Sequence, residues 1–309
     1  MAFHPPVAIV AKAGDAGKYK TGLPSWNMVL RGFFSGAFIA MGAGLATVCS
    51  TGITAGAAAQ AAGFVNAGFA APGIAQLVLG AVFPVGLIIT ILTGAELFTG
   101  DAMLAPVAAF IHKVSWASVL NLWVWVYIGN LIGSLVWAYI MTYGPYTSVS
   151  ATGAITASGF GVRAVQIAIA KVSYFGPAGL WSAFLKGIGC NWLVNLAVLL
   201  GICADDLIGK FFGIWFPIMA FVSTGFEHSI ANQYFISAGI FTNGIGTAGG
   251  FSEAQAAAAA KYLGYANLNW VGFWMNNMIV VTIGNIVGAL FFVGVIYWVA
   301  FRKEIAALK

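Results

Sequence analysis

The sequence predicts an all-α, multi-pass membrane protein, and its charged residues carry that prediction. Of the 309 residues, 61% are apolar and only 7% are charged, whereas a soluble domain is about one quarter charged. The charges leave three long gaps, between Arg31 and Glu96, between Lys113 and Arg163, and between Lys261 and Arg302. Each gap exceeds the roughly 20 residues that cross a bilayer as a helix. A soluble enzyme, a nucleic-acid-binding protein and a disordered linker are therefore excluded.

Six membrane spans follow from the positions of these gaps. In chain order they cover residues 31–50, 73–112, 116–143, 181–203, 209–240 and 268–301. The second span is too long for one straight crossing, and both the second and the fifth carry polar residues near their middle. We expect these two spans to be interrupted. The segments 51–72, 144–171 and 241–267 are rich in Gly and in Ala, Ser or Thr, and they are predicted to be connections; the first of them carries no charge.

The lysines and arginines predict the orientation of the chain. Six spans place both termini on one side, and cytoplasmic termini put nine of the 13 Lys and Arg residues inside. That excess predicts a cell (cytoplasmic) membrane protein with both termini in the cytoplasm. We divide the chain into an amino-terminal cytoplasmic arm (1–27), a membrane domain (28–303) and a cytoplasmic tail (304–309). The arm is predicted to lie on the surface as an amphipathic segment, where Lys12 to Lys20 could either gate the protein or anchor it to anionic lipid.

The two halves of the sequence share three features in the same order. The matching segments are Arg31-Gly32 with Lys186-Gly187, Thr93-Gly94-Ala95-Glu96 with Thr224-Gly225-Phe226-Glu227, and Gly129-Asn130 with Gly284-Asn285. This correspondence indicates an internal duplication of three spans, and an odd number of spans makes the two copies inverted. Inverted repeats with interrupted helices are typical of proteins that hold a transport site at the membrane midplane.

Four ionisable residues lie in or beside the predicted interruptions: Glu96, Asp101, Glu227 and His228. Such groups are costly at membrane depth unless they are paired, which makes them functional candidates. Glu96 and Glu227 could instead cap the backbone N–H groups freed at the breaks, and Asp101 could be an interfacial cap. His228 lies one helical turn before Asn232, and we predict that it faces a substrate. An imidazole can give either a proton or a hydrogen bond.

Large apolar residues precede each interruption at helical spacing. Phe83 and Leu87 are one turn apart, and Phe221 lies seven residues before His228. Such residues usually only pack or face lipid, but beside a pore they can form constrictions that exclude hydrated ions.

The chain resembles the formate/nitrite transporter family over about residues 28–302. Three segments carry the resemblance: Gly225-Phe226-Glu227-His228-Ser229-Ile230-Ala231-Asn232, Leu97-Phe98-Thr99, and Lys186-Gly187-Ile188-Gly189-Cys190-Asn191-Trp192-Leu193-Val194. The first is close to a family signature. The resemblance implies an aquaporin-like protomer with one pore, assembled as a homopentamer in the lipid bilayer. It also implies transport of a small monovalent anion such as formate, nitrite or hydrosulfide, often with a proton.

The resemblance also implies roles for individual residues. His228 would be the central pore histidine with Thr99 as its partner, while Glu227, Asn191 and Asn232 would hold its network. Phe83, Leu87 and Phe221 would form the constrictions. Lys171 would be the vestibule lysine that attracts anions, provided that Gly176-Pro177-Ala178-Gly179 is a loop insertion. Otherwise Arg163 or Lys186 would supply that charge.

Formate is the predicted substrate, because the bulky Phe83, Leu87 and Phe221 set is more similar to the formate branch of the family. The anion is expected to pass as its neutral acid, since burial disfavours the charged form. Whether the protein is a channel or a proton symporter stays open. We predict no enzyme activity, cofactor, metal or nucleic-acid partner. A neutral-solute aquaporin would need twin Asn-Pro-Ala loops, and an ammonium channel would need more spans.

Overall fold

Helices and one short β-hairpin build the part of the chain that the structure describes. The computed structural model describes residues 3–53, 72–149, 151, 153–245 and 265–307. The helices before the hairpin are α1 (Pro6–Thr21), α2 (Ser25–Ser50), α3 (Pro72–Val82), α4 (Val85–Thr93), α5 (Phe98–Phe110) and α6 (Trp116–Tyr143). The hairpin pairs β1 (Thr147–Val149) with the antiparallel strand β2 (Ile155–Ala157). After it come α7 (Gly159–Lys171), α8 (Gly176–Cys203), α9 (Leu207–Ser223), α10 (Ser229–Ile245) and α11 (Trp270–Ala307).

The helices match the predicted spans closely. Five helical stretches in the described residues are long and apolar enough to cross a membrane, namely α2, α3 with α4, α6, α8 and α11. The shorter apolar helices α5 and α9 lie in the two spans that we expect to be interrupted. The all-α membrane fold is thus confirmed, while the inverted relation of the halves stays a prediction. The predicted connections 51–72 and 241–267, with Lys261, fall largely outside the described residues.

Both interrupted spans break at the Thr-Gly-x-Glu motif. Helix α4 ends at Thr93 and α5 begins at Phe98, while α9 ends at Ser223 and α10 begins at Ser229. The motif glycine terminates the first helix each time, because Gly94 and Gly225 adopt φ angles of +74° and +79°. A left-handed residue after the last turn is a common way to end a helix, and glycine adopts it without a steric penalty. The two predicted interruptions are confirmed.

Two asparagines, not the glutamates, cap the second half-helices. The Asn130 side chain accepts a hydrogen bond from the Phe98 N–H (3.0 Å) and donates to the carbonyl oxygens of Gly32 and Glu96. The Asn285 side chain does the same for the Ser229 N–H (2.9 Å) and for the carbonyl oxygens of two other residues, Gly187 and Glu227. The expectation that Glu96 and Glu227 serve as caps is therefore wrong. Their carboxylates are occupied by cationic side chains, as described below.

Glycines bring each asparagine close enough to reach its break. A Cβ atom on Gly133 in α6 would lie 2.0 Å from the Phe33 carbonyl oxygen in α2. A Cβ atom on Gly288 in α11 would lie 2.4 Å from the Ile188 carbonyl oxygen in α8. Because both contacts are with backbone atoms, a larger residue would force the two helices apart. Small residues that permit such close approach are typical of helix packing in membranes.

The amino-terminal arm is a helix packed against the protein. Helix α1 packs on α5, where a Cβ atom on Gly17 would lie only 2.1 Å from the Leu104 carbonyl oxygen. Val10, Ala13, Gly14 and Gly17 are all buried. The expectation of a surface-lying arm is wrong for this face, and a lipid-anchoring role is wrong for Lys20, whose side chain contacts two buried carboxylates.

The segment between the third and fourth spans is more ordered than a simple connection. Within it, Thr147–Val149 and Ile155–Ala157 form the β-hairpin, and Gly159–Lys171 form helix α7. The buried residues of α7 recur at helical spacing: Val162, Val165, Ala168 and Ile169. The expected loop insertion 176–179 is also wrong, because these residues form the first turn of α8 with Pro177 near its start, a favourable position for proline.

Candidate functional site

Two cavities, each lined by several charged side chains, lie at opposite ends of helix α9. The larger one, the His228 cavity, has a volume of about 540 Å³ and is lined among others by Phe83, Lys171, Lys186, Phe221, Glu227 and His228. The smaller one, the Lys20 cavity, has a volume of about 260 Å³ and is lined among others by Lys20, Arg31, Leu87, Glu96, Asp101 and Lys210. Lys210 stands near the start of α9 and Phe221 near its end. Each helix break lines one cavity, because residues 94–97 line the Lys20 cavity and residues 225–228 line the His228 cavity.

His228 and Thr99 bring the two breaks into contact. The His228 Nε2 atom lies 3.0 Å from the Thr99 Oγ1 atom, and both residues are buried. The Ala231 N–H donates to the His228 Nδ1 atom at 3.0 Å. Since Nδ1 accepts this bond, the neutral ring carries its proton on Nε2. The Nε2–H group therefore donates a hydrogen bond to the Thr99 hydroxyl. The tautomer is thus set by the first turn of α10.

The Glu227 carboxylate stands at the centre of a hydrogen-bond network. Its Oε1 atom accepts from the Lys171 ammonium and from the Tyr174 hydroxyl, both at 2.8 Å. Its Oε2 atom accepts from the Asn232 amide at 2.6 Å and from the Asn277 amide at 3.3 Å. A buried carboxylate needs this degree of compensation. The structure thus places Lys171 at the Glu227 carboxylate, with the ammonium on the wall of the His228 cavity.

Tyr174 links Glu227 to a second lysine. Burial, and after it the negative charge of Glu227, raises the pKa of Tyr174, so the hydroxyl stays protonated. It donates a hydrogen bond to the Glu227 carboxylate. The Lys186 ammonium donates to the same hydroxyl at 3.1 Å. Arg163 also lines this cavity, so all three cations considered from the sequence lie around one space.

Asn191 holds the backbone of Thr99 and not the imidazole. Its amide donates to the Thr99 carbonyl oxygen at 3.0 Å and to the Asn285 carbonyl oxygen at 2.8 Å. Asn195, one turn later, donates to the same Thr99 carbonyl oxygen at 3.1 Å. Neither predicted asparagine side chain hydrogen-bonds to the imidazole: Asn191 contacts the Thr99 carbonyl oxygen, and Asn232 contacts the Glu227 carboxylate.

Aromatic rings pack on one side of the imidazole. The Phe221 ring stacks on the His228 ring with centroids 5.7 Å apart, and the Phe83 ring meets the Phe221 ring edge-to-face at 5.8 Å. Leu87, one turn after Phe83, lines the other cavity. All four side chains are buried. Phe83, Phe221 and Leu87 form a buried apolar segment, in which Phe83 and Phe221 line the His228 cavity and Leu87 lines the Lys20 cavity.

A glycine in α3 lets this helix pack closely against α9. A Cβ atom on Gly80 would lie 2.0 Å from the Ser223 Oγ atom and 2.8 Å from the Met219 carbonyl oxygen, both in α9. We expect Gly80→Ala to push α3 from α9 and to lower the free energy of unfolding by about 1–3 kcal/mol, because overpacking is destabilising. Thermal unfolding in detergent measures this effect. Gly73→Ala is the control, since a Cβ atom there meets nothing within 4 Å; equal unfolding temperatures for the two variants would contradict the assignment.

The Lys20 cavity contains a second lysine–carboxylate cluster. The Lys20 ammonium contacts the Glu96 carboxylate and lies 3.0 Å from Asp101 Oδ1. The Arg31 guanidinium lies 3.7 Å from Glu96 Oε1 and donates to the Tyr19 hydroxyl. Burial alone lowers the pKa of Lys20, but the charges of Asp101 and Glu96 raise it above its ordinary value, so Lys20 stays charged. The arrangement resembles that of Lys171, Glu227, Tyr174 and Lys186 in the other half.

These features define a membrane protein that conducts or transports a small solute. Each of two cavities is lined by cations and by the break of an interrupted helix, and a buried hydrogen-bonding pair, His228 with Thr99, joins the two breaks. The comparisons with known proteins give the family. The formate/nitrite transporter family matches residues 7–299, so the chain belongs to that family, whose members are transporters and channels.

Three known proteins illustrate the likeness. A "Probable formate transporter" of Methanothermobacter thermautotrophicus is 38% identical over 96% of this chain and 97% of its own length. The "Nitrite transporter NirC" of Escherichia coli (strain K12) is 32% identical over 75% of this chain and 74% of its own. The solved structure "Pentameric formate channel with formate bound" is 31% identical, with a TM-score of 0.69 over 90% of this chain and 98% of that one.

Several residues of the network are not apparent from the sequence. In the sequence, Asn130 and Asn285 are notable only because they occupy matching positions in the two halves. Those matching positions, each after a helix break, could have suggested that both asparagines cap the second half-helices. Tyr174, Asn277 and the pairing of Lys20 with Asp101 carry no comparable signal. They come from segments far apart in the chain, and only the fold brings them to the two glutamates.

Proposed function

We propose that the protein transports formate across the cell membrane, with the anion passing the apolar segment as its neutral acid. The observation that carries this proposal is the buried His228–Thr99 pair between two cation-bearing cavities. Lysines and arginines around each cavity attract a small anion. The apolar segment opposes its charge, because an unpaired ion in a low-dielectric interior is strongly destabilised.

The role that we assign to His228 is that of a hydrogen-bond donor. Its Nδ1 atom is occupied by the Ala231 N–H, so the neutral ring offers only its Nε2–H. That proton is shared with Thr99, whose hydroxyl can in turn donate to a passing carboxyl group. The proton that neutralises formate then comes from the bathing solution through the water of the His228 cavity, where Lys171 concentrates the anion. The apolar segment formed by Phe83, Phe221 and Leu87 excludes water and hydrated ions.

The assembly and orientation are parts of the same proposal. The similarity to a solved pentameric formate channel supports a homopentamer with one pore in each protomer. The positive-inside excess supports cytoplasmic termini, which places the Lys20 cavity on the cytoplasmic face. The division into arm (1–27), membrane domain (28–303) and tail (304–309) belongs to this proposal too. Nitrite is the second candidate substrate, because a nitrite transporter is 32% identical to this chain.

Flux into proteoliposomes tests the proposal. We expect uptake of radiolabelled formate to exceed that of nitrite, hydrosulfide, ammonium and glycerol, and to rise as the external pH falls from 7.5 toward 5.5. The rise follows because more of the solute carries a proton at lower pH. Protein-free liposomes correct for passive diffusion of formic acid, which also rises at low pH. Glycerol or ammonium flux without formate flux would contradict the proposal, and a preference for nitrite would move the function to the second candidate.

A further inference from the structure

The two lysine–carboxylate clusters differ in charge at one pair of matching positions. Counting from the motif glutamates, Asp101 stands five residues after Glu96, and Asn232 stands five residues after Glu227. Asn232 donates its amide to Glu227 at 2.6 Å, which leaves Lys171 with one carboxylate neighbour among the described residues. Asp101 is a second carboxylate beside Lys20, at 3.0 Å. The same place in the two halves therefore holds a neutral donor on one side and a negative charge on the other.

Asp101 is well placed to form an ion pair with the Lys20 ammonium. It is fully buried, and its backbone carbonyl oxygen is fixed by the Trp123 indole N–H at 3.1 Å. The charged groups around it come from four elements: Lys20 in α1, Arg31 in α2, Glu96 in the break and Lys210 in α9. Two carboxylates thus oppose three cations in the Lys20 cavity. Among the described residues that line the His228 cavity, Glu227 is the single carboxylate, against Lys171, Lys186 and Arg163.

We propose that Asp101 is an affinity-setting residue: it competes with the transported anion for the Lys20 ammonium and makes the Lys20 face of the protein bind that anion more weakly than the His228 face. This inference rests on the proposed function. By this competition, a cavity lined by three cations can release the anion. An anion that has crossed the apolar segment meets a lysine whose charge is already compensated.

The test is the KM for formate from each face separately, in right-side-out and inside-out membrane vesicles of defined orientation. Proteolysis of an amino-terminal tag identifies the Lys20 face. We expect Asp101→Asn to lower the KM from that face by about five-fold, the effect of removing one partly compensated charge. The KM from the His228 face stays unchanged. At equal pH on both sides, passive flux requires equal Vmax/KM in the two directions, so Vmax from the Lys20 face falls with its KM.

Two further variants make the test specific. Asp15→Asn is the matched control, because Asp15 is an exposed carboxylate that pairs with Lys113 away from the cavity lining; both of its KM values should equal those of the wild type. Asn232→Asp is the converse change, and it should raise the KM from the His228 face only. It keeps the inference testable if Asp101→Asn fails to assemble.

The outcomes separate the two proposals. Wild-type flux with a KM asymmetry that neither Asp101→Asn nor Asn232→Asp alters overturns this inference and leaves the proposed function standing. The inference is overturned in the same way if each variant changes the KM from both faces equally. A wild-type protein that carries neither formate nor nitrite overturns the proposed function and this inference with it.

Discussion

Replacing Asn285 or Asn130 with alanine is expected to destabilise the protein by about 3 kcal/mol or more, enough to prevent assembly in many membrane proteins. Each asparagine satisfies one buried N–H and two buried carbonyl oxygens at a helix break. A buried backbone group that loses its partner costs about 1–3 kcal/mol. Water cannot replace the side chain cheaply, because both asparagines are fully buried between packed helices.

The measurement is the unfolding temperature in detergent, together with the fraction of protein that elutes as a folded oligomer. Asn121→Ala is the matched control: Asn121 lies in the same helix as Asn130, but its side chain is exposed and it caps neither break. We expect that variant to unfold within a few degrees of the wild type. Unfolding temperatures for Asn130→Ala and Asn285→Ala as high as that of the control would show that the breaks hold without these caps.

The fold was predictable from the sequence because few backbone structures can cross a bilayer with all their N–H and C=O groups hydrogen-bonded, and the helix is the commonest of them. Long apolar stretches with few charges give their number, and the Thr-Gly-x-Glu motif gives the two breaks, since glycine readily adopts the left-handed conformation seen at Gly94 and Gly225. Helix α7 and the β-hairpin were missed because their segment is short, rich in Gly, Ser and Thr, and only half apolar. Hydropathy alone does not separate such a segment from a loop.

The part of the candidate site that lies within a single sequence motif was predictable. His228, Glu227 and Asn232 lie within six residues, and the resemblance to a known family adds Thr99. What the sequence could not give is which partner each side chain takes. From the sequence alone, capping is a reasonable role for the two glutamates, because a carboxylate suits a helix start. The cations Lys171 and Lys20 reach them from helices that are distant in the chain, and pairing with a charge outweighs capping an N–H group.

His228→Leu is expected to lower formate flux by about 10- to 100-fold, whereas His228→Asn should keep it within about 10-fold of the wild type. A hydrogen bond to a charged or partly charged group contributes about 1.5–3 kcal/mol, and leucine offers none in the apolar segment. Asparagine offers an amide N–H to the same Thr99 hydroxyl and carries no titratable proton. If His228 acts only as a donor of a hydrogen bond, the His228→Asn variant keeps the rise of flux with falling pH, because that rise belongs to the solute.

Flux in proteoliposomes between pH 5.5 and 7.5 distinguishes the two roles of the imidazole, with Thr99→Val as a second variant that removes the partner hydroxyl at nearly constant volume. A pH-independent flux in His228→Asn would assign the proton transfer to the imidazole. It would also require the Ala231 N–H to release Nδ1 during transport, since that atom is the only place on the neutral ring where a second proton can bind.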